Sequence, residues 1–486
     1  EGTISIKDSG LAALVAPSVK NSGVIQAKLG KVALAGAKTV TVDFQGDGLL
    51  SFDASSVVDQ QPVGADGKAV TALVHNTGVI RADGGTVLMT ARAVKNVVDN
   101  VINTEGIVSA KSVGTQNGKI VLSGGDAGIV NVAGTVEATG TKTGETGGKV
   151  VVTGEHVKVA SNAVVDVSGA AGGGEIALGS LGVKPDDGSA AFSGKSQTVS
   201  VAKGAKLKAD ATDKGNGGNV TMWSNEATAF AGDLSARGGA NGGDGGFAEV
   251  SSKKNIGLTG NADLRAPKGK TGTLLIDPTD LRIVAGSGGD QDGAAGDGTI
   301  NNGDDNIADN TVSVGLLESL AGNANIKLEA TGLVSIASDV DAIALQTVTG
   351  NTFTLRSTQS GGIKFENSNT EISTQGGNIT LEALGVGSKL DNIGKLTSNG
   401  GAITLSASGD INLANVIDAG SGAALVQSTS GSIYNTGGNP QRVKGSSITL
   451  SAENGNVGST SAFVKTQAPT LAVSSGGDIA VENYVD

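Results

Sequence analysis

The sequence predicts an all-β chain wound as a parallel β-helix, a solenoid of stacked coils, with an Asp/Gly-rich insertion and a short helix near 286–322. Three observations carry that expectation. A short motif recurs along the chain, alternate residues within it are apolar, and 78 of the 486 residues are Gly while only 11 are Phe, Tyr or Trp. Gly at roughly twice its ordinary usage, with so few large rings, is poor material for an enzyme core built around bulky side chains. The Gly residues follow no Gly-X-Y period, which excludes a collagen helix. Apolar residues make up 38% of the chain, mostly small and β-branched, which is too many for a disordered segment.

The repeat is clearest in the first third. Val19-Lys20-Asn21-Ser22-Gly23-Val24-Ile25 returns as Val74-His75-Asn76-Thr77-Gly78-Val79-Ile80, and then as Val101-Ile102-Asn103 with Ile107-Val108 and Ile129-Val130-Asn131 with Thr135-Val136. Asn21, Asn76, Asn103 and Asn131 are separated by 55, 27 and 28 residues, the first gap reading as two units. Weaker copies continue to Leu264. Each copy is followed by a Gly-rich or polar stretch and a second alternating strand, such as Lys31-Val32-Ala33-Leu34, Thr86-Val87-Leu88-Met89 or Lys149-Val150-Val151-Val152. Strands this short cannot bury an apolar face alone, so each unit must lean on its neighbours. Once-per-unit Asn and Ile positions would stack as ladders in a parallel β-helix. An immunoglobulin-like array would need units near 100 residues and large core aromatics. The four Asn residues are therefore the expected structural ladder.

Residues 1–285 form the expected first β-helix section, with coils of about 27–28 residues, and 323–486 the second, with Gly-Gly-Asn-Ile at 376 and Gly-Gly-Ala-Ile at 400 marking a shorter repeat. At ~4.8 Å per layer the chain would make roughly 17 to 24 coils and a rod of roughly 80 to 115 Å. Between the sections, Leu316-Leu317-Glu318-Ser319-Leu320 is the best helical stretch and reads as a helix covering a coil edge.

Charge and Cys content bound the partners. Residues 1–285 carry 27 basic and 27 acidic side chains and residues 286–486 carry 8 and 20, so the net charge of −12 belongs to the second part. An acidic surface repels phosphate backbones, which argues against nucleic acid as a partner. The absence of Cys removes disulfides and thiolate metal sites. No apolar run is long enough for a membrane-spanning helix, and the chain opens directly in strand-like alternation, without a leader and as though cut from something longer.

Four further sets of residues were weighed for chemistry. Asp290, Asp292, Asp297, Asp304 and Asp305, with Asp309, supply a dense oxygen set that could hold calcium. Their spacing fits neither an EF-hand nor a Gly-Gly-x-Gly-x-Asp repeat, so a solvated acidic loop is the expected role and no cofactor is expected. Asp43 with Asp47, or Asp277 with Asp280, could be nominated as an acid pair for polysaccharide cleavage, yet each Asp sits in a turn where its side chain is expected to bond backbone. Trp223 and Phe230 flank Glu226 and could form a sugar-stacking ligand platform, against the expectation of core or corner packing. His75 and His156 have no Ser or Asp motif beside them, and His75 reads as an exposed slot. The overall expectation is of no catalytic residues and no enzyme.

One resemblance bears on function. Gly10-Leu11-Ala12-Ala13-Leu14-Val15-Ala16-Pro17, Asn21-Ser22-Gly23-Val24-Ile25, Gly30-Lys31-Val32-Ala33-Leu34-Ala35 and Gly46-Asp47-Gly48-Leu49, with Gly272-Thr273-Leu274-Leu275-Ile276-Asp277-Pro278 further on, resemble the two-partner-secretion exoproteins, which include filamentous-haemagglutinin-like adhesins. The resemblance implies a right-handed β-helix exported through an outer-membrane β-barrel transporter of a Gram-negative bacterium. It also implies extracellular or cell-surface display, and adhesion to other cells, a host receptor or a cell-surface or matrix polysaccharide, with self-association through unpaired coil edges. The family's N-terminal secretion domain is not among these residues, so the chain reads as the stretch after it. The alternatives are a β-helical polysaccharide-degrading enzyme and the stalk of a contact-dependent toxin.

Overall fold

The computed structural model describes residues 2–39, 41–43, 51–53, 56–181, 196–287, 310–437 and 443–484. They divide into an N-terminal unit, chiefly Glu1–Lys253 and Gly257–Gly272, and a C-terminal unit made of Lys254–Ile256 and most residues from Thr273 onward. Both are parallel β-helices in which each coil gives one short strand to each of three sheets.

In the N-terminal unit one coil comprises Ala72–Asn76, Val79–Arg81 and Thr86–Ala91, and the next comprises Asn100–Thr104, Ile107–Ser109 and Lys119–Ser123. The second lies on the first in parallel register, with Ile102 on Val74, Val108 on Ile80 and Ile120 on Val87. Alternation explains the arrangement. Every second residue points inward, so one residue type stacks in a column and the interior fills with aliphatic ladders such as Val32, Val87, Ile120, Val150, Ile176 and Val220, all at most 1% exposed. Each such side chain contributes about 1.5–3 kcal/mol through burial.

The corners are set by glycine. Gly148, Gly174, Gly218, Gly246 and Gly272 lie one above another, and a Cβ on any of the last four would collide with the carbonyl oxygen of the glycine one coil below. A second column runs through Gly23, Gly78, Gly106 and Gly134 under the same constraint. Here Gly is required by close backbone approach rather than by left-handed dihedrals.

Those columns correct the reading of the 55-residue gap. Asn21 pairs directly with Asn76 and Lys31 with Thr86, so the gap is a single coil carrying an excursion, not two coils. Within the excursion Thr41–Asp43 pairs antiparallel with Ser51–Asp53. Gly23 and Gly30 are seven apart, as are Gly78 and Gly85, and the sequence between them has no glycine pair at that spacing.

The C-terminal unit is more regular. Its longest sheet runs from Thr273–Asp277 through Asn325–Ala330, Thr352–Ser357, Asn378–Ala383, Ile403–Ala407, Ala423–Ser428 and Ser447–Ala452 to Thr470–Ser475. Inward columns follow the register, as in Ile326–Phe353–Ile379–Ile403 and Leu328–Leu355–Leu381–Leu405. Chain order breaks once. Thr311–Ser313 pairs with one edge of Leu281–Val284 while Val334–Ile336 pairs with the other, so the strand following residues 288–309 is inserted out of sequence. Asn310, 7% exposed, anchors that strand by accepting from Ile256 N (2.9 Å) and donating to Lys254 O (2.7 Å) and Asp280 O (3.0 Å).

The chain then forms the helix Val314–Leu320, capped by Ser313, whose Oγ accepts from Leu316 N at 3.3 Å. Val314, Leu317 and Leu320 are buried, and Glu318 Oε1 accepts from Ala344 N (2.8 Å) in Ala342–Val348, the edge strand of the unit's third sheet. The helix thus covers a coil edge, as its sequence led one to expect, and satisfies an edge N–H that would otherwise be open to another strand.

Candidate functional site

The Asn ladder forms in two short pieces. Asn21 Nδ2 donates to Asn76 Oδ1 (2.8 Å), and Asn131 Nδ2 donates to Asn103 Oδ1 (2.9 Å). Between the pieces the register slips by one residue, so Asn76 stacks on Thr104 and Asn103 on His75, contrary to the continuous ladder expected. Asn76 Nδ2 donates instead to Thr104 Oγ1 (3.3 Å), and Asn103 Nδ2 to Glu105 Oε1 (2.8 Å). The cause is the corner column. Gly lies two residues after Asn21 and Asn76 but three after Asn103 and Asn131, and the chain aligns its glycines rather than its amides.

The aromatic platform does not form either. Phe230, 1% exposed, points into the core from Ala227–Phe230, while Trp223 lies on the outward side of Asn219–Ser224, beside Ser251 and with the Lys253 ammonium 5.7 Å from its ring centroid. The strands belong to different sheets across a bend that holds the half-buried Glu226, so the two rings have the sheet wall between them. His75 is not an exposed slot: its side chain is only 19% exposed, with Nε2 3.6 Å from Glu105 Oε1. His156 Nδ1 lies 2.9 Å from Thr198 Oγ1, and burial holds the imidazole below its usual pKa against the opposing pull of Glu155. Asp290, Asp292, Asp297, Asp304, Asp305 and Asp309 lie outside the described residues, as does Asp47. Among the described residues no group of three His, Cys, Asp or Glu could hold a metal ion.

Of the nominated acid pairs, Asp280 is engaged by backbone: its Oδ1 accepts from Leu333 N (2.7 Å) in the following coil. Asp277, at the end of Thr273–Asp277, is different. Burial, with the Glu329 carboxylate adding to it, pushes its carboxyl up to about 7, and Lys327 only partly opposes the rise. Glu329 is itself held by Lys327 (2.6 Å) and Arg356 (3.4 Å), and Arg356 Nε donates to Glu382 (2.6 Å). Glu329, Arg356 and Glu382 follow one another in register on the outward side of the longest C-terminal sheet, an alternating charge ladder spanning three coils.

Beyond that ladder the same face changes character. The strands Ile403–Ala407, Ala423–Ser428, Ser447–Ala452 and Thr470–Ser475 contain no charged residue. Their outward positions are Ala, Ser, Thr, Leu and Gln, stacked in register as in Ser406–Gln427–Ser451–Ser474. Gln427 Nε2 donates to Ser406 Oγ (3.1 Å) and Ser474 Oγ to Ser451 Oγ (2.9 Å), so the columns are tied along the stack. Elsewhere in this unit the outward charges pair across coils, as in Lys395–Glu371 (3.1 Å) and Lys444–Asp418 (3.4 Å). The result is an uncharged face of hydroxyl, amide and small apolar side chains with rows ~4.8 Å apart. Sequence reading overlooked it because no single residue stands out; the signal was the missing charge at every second position of four successive strands.

No protein-family model matches this chain, and no curated protein is significantly similar to it.

Proposed function

We propose that this chain is the β-helical shaft of a two-partner-secretion exoprotein, exported through an outer-membrane β-barrel transporter of a Gram-negative bacterium and acting outside the cell as an adhesin. The observation that carries the reading is the uncharged face on four successive coils, three of which present Ser and Thr hydroxyls, in a chain whose net charge is −12. A neutral face with donors and acceptors at a fixed repeat suits contact with another uncharged, hydroxylated surface, such as a cell-surface or matrix polysaccharide or a glycosylated host receptor. Desolvating it costs far less than desolvating a charged face. Stacked coils add contacts of modest strength in parallel along one axis, which suits adhesion.

Beads coated with the chain should bind cells or matrix, and Thr404→Lys with Thr449→Lys should reduce that binding severalfold without changing the melting temperature. Undiminished binding by the double variant would remove the face from the proposal, and beads that bind nothing would remove adhesion. A second reading rests on Asp277. An acid with a pKa near 7 beside an ionised carboxylate is the pairing used in glycoside cleavage. That reading requires release of reducing ends from a polysaccharide and its loss in Asp277→Asn.

A further inference from the structure

Five Asn–Gly pairs lie wholly among the described residues: 117–118, 216–217, 241–242, 399–400 and 454–455. Such pairs can rearrange when the glycine amide nitrogen attacks the asparagine side-chain carbonyl carbon, because Gly offers no Cβ to obstruct the approach. In four of the five the attacking N–H is occupied. Gly217 N donates to Asp244 O (2.9 Å), Gly242 N to Gly239 O (3.1 Å), Gly400 N to Ala419 O (3.2 Å) and Gly455 N to Ala452 O (3.4 Å). Gly118 N donates no hydrogen bond among the described residues. Its counterparts in the corner column do, Gly148 N to Ala138 O (2.6 Å) and Gly174 N to Val167 O (2.8 Å).

A buried N–H without an acceptor is unusual and invites an explanation. Here it coincides with a polarised electrophile. Asn117 is exposed, and its Oδ1 accepts a hydrogen bond from Thr146 Oγ1 at 3.2 Å, so a donor already sits where negative charge would develop on attack. We propose that Asn117–Gly118 is a self-modifying corner at which Asn117 deamidates in the folded protein ahead of the other four pairs. The Gly118 nitrogen loses its proton to hydroxide entering from the side of the exposed Asn117 and bonds to Asn117 Cγ. The C–N bond to the side-chain amide breaks, the departing nitrogen takes up a proton and leaves as ammonia, and a five-membered succinimide remains. Water then opens either carbonyl, giving aspartate or isoaspartate.

Both products add one negative charge at the turn. The isoaspartate also lengthens the main chain by one carbon immediately before Gly118, whose carbonyl accepts from Lys149 N (3.0 Å) in the next coil. The modification therefore acts on the corner that sets the stacking there.

The test is incubation of the folded full chain at about pH 8, followed by proteolysis and mass spectrometry of the peptides. Conversion at Asn117 should run about tenfold faster than at residues 216, 241, 399 and 454, because none of the free energy of a backbone hydrogen bond must first be lost. In denaturant the five pairs should converge to similar rates, and Thr146→Val should slow Asn117 in the folded chain alone. Conversion at Asn117 no faster than at the other four in the folded chain would overturn the proposal, as would the same preference persisting in denaturant. An unchanged rate in Thr146→Val would overturn the part given to the hydroxyl.

Discussion

The two units solve one problem by different means. In the N-terminal unit glycine columns such as Gly148–Gly174–Gly218–Gly246–Gly272 allow each coil to settle on the last, and side-chain oxygens accept from the backbone of the next coil, Asp83 from Lys111 N (3.1 Å), Asp210 from Arg237 N (2.8 Å) and Asn216 from Asp244 N (2.8 Å). In the C-terminal unit glycines also stack, as in Gly377–Gly401–Gly422, and hydroxyls and amides donate into the carbonyls of neighbouring coils. Ser357 Oγ donates to Gly332 O (2.7 Å), Ser428 Oγ to Gly409 O (2.7 Å), Thr370 Oγ1 to Val340 O (2.6 Å) and Asn399 Nδ2 to Thr374 O (2.7 Å). Coil length differs too, once the 52-residue interval from Thr273 to Asn325 that carries the helix is set aside. Lys31, Thr86, Lys119, Lys149 and Glu175 occupy one column at spacings of 55, 33, 30 and 26 residues, whereas Asn378, Ala402, Ala423 and Ser447 follow at 24, 21 and 24.

If that contrast is correct, substitutions should rank by which device they touch. The largest effect belongs to a glycine column: Gly218→Val forces a side chain into the Gly174 carbonyl and should cost at least about 3 kcal/mol, read as a lower denaturant midpoint. Asn310→Ala, which removes one buried and two part-buried hydrogen bonds, should cost about 3 kcal/mol and shift hydrogen exchange chiefly in Leu281–Val284 and Thr311–Ser313. Asp277→Asn sharpens the comparison through pH. The folded value of about 7 lies above the ~3.9 of an unfolded chain, so the folded state holds the extra proton between those limits. The stability it contributes is complete below about pH 4 and is lost as pH rises through 7. The Asn variant should therefore match the parent below about pH 4, be ahead already at about pH 5, and be more stable by on the order of 2–4 kcal/mol near pH 8. The smallest effect is expected for Ser428→Ala, about 1–2 kcal/mol for the hydrogen bonds its Oγ donates to Gly409 O and accepts from Gly431 N.

The sequence made the solenoid legible because an inward column is a chemical constraint repeated at every coil. Ile326, Phe353, Ile379 and Ile403 must all be apolar, and the alternation on either side of each gives the strand directly. The helix was legible from Leu316, Leu317 and Leu320, although it starts at Val314 behind a Ser313 cap. What escaped was relative offset. The excursion between Gly36 and Ala72 resembles a coil by length, and only the missing corner glycines reveal otherwise. Trp223 and Phe230 are close in sequence, but they are an odd number of residues apart, and the alternation carries through the bend, with Ser224, Thr228 and Phe230 all inward and Trp223 outward. The raised pKa of Asp277 comes first from burial and then from Glu329, a neighbour 52 residues away, and only the stacking of coils supplies either.

Parallel register is the claim on which the rest stands, and the absence of Cys makes it simple to test. Thr380 and Thr404, 24 residues apart, are direct partners on the outward side of the longest C-terminal sheet, one layer or ~4.8 Å from each other. Spin labels at Thr380→Cys and Thr404→Cys should give a strongly dipolar-broadened spectrum in the folded chain, and the broadening should vanish in denaturant. A folded double variant with a spectrum equal to the sum of the two single variants would contradict the account.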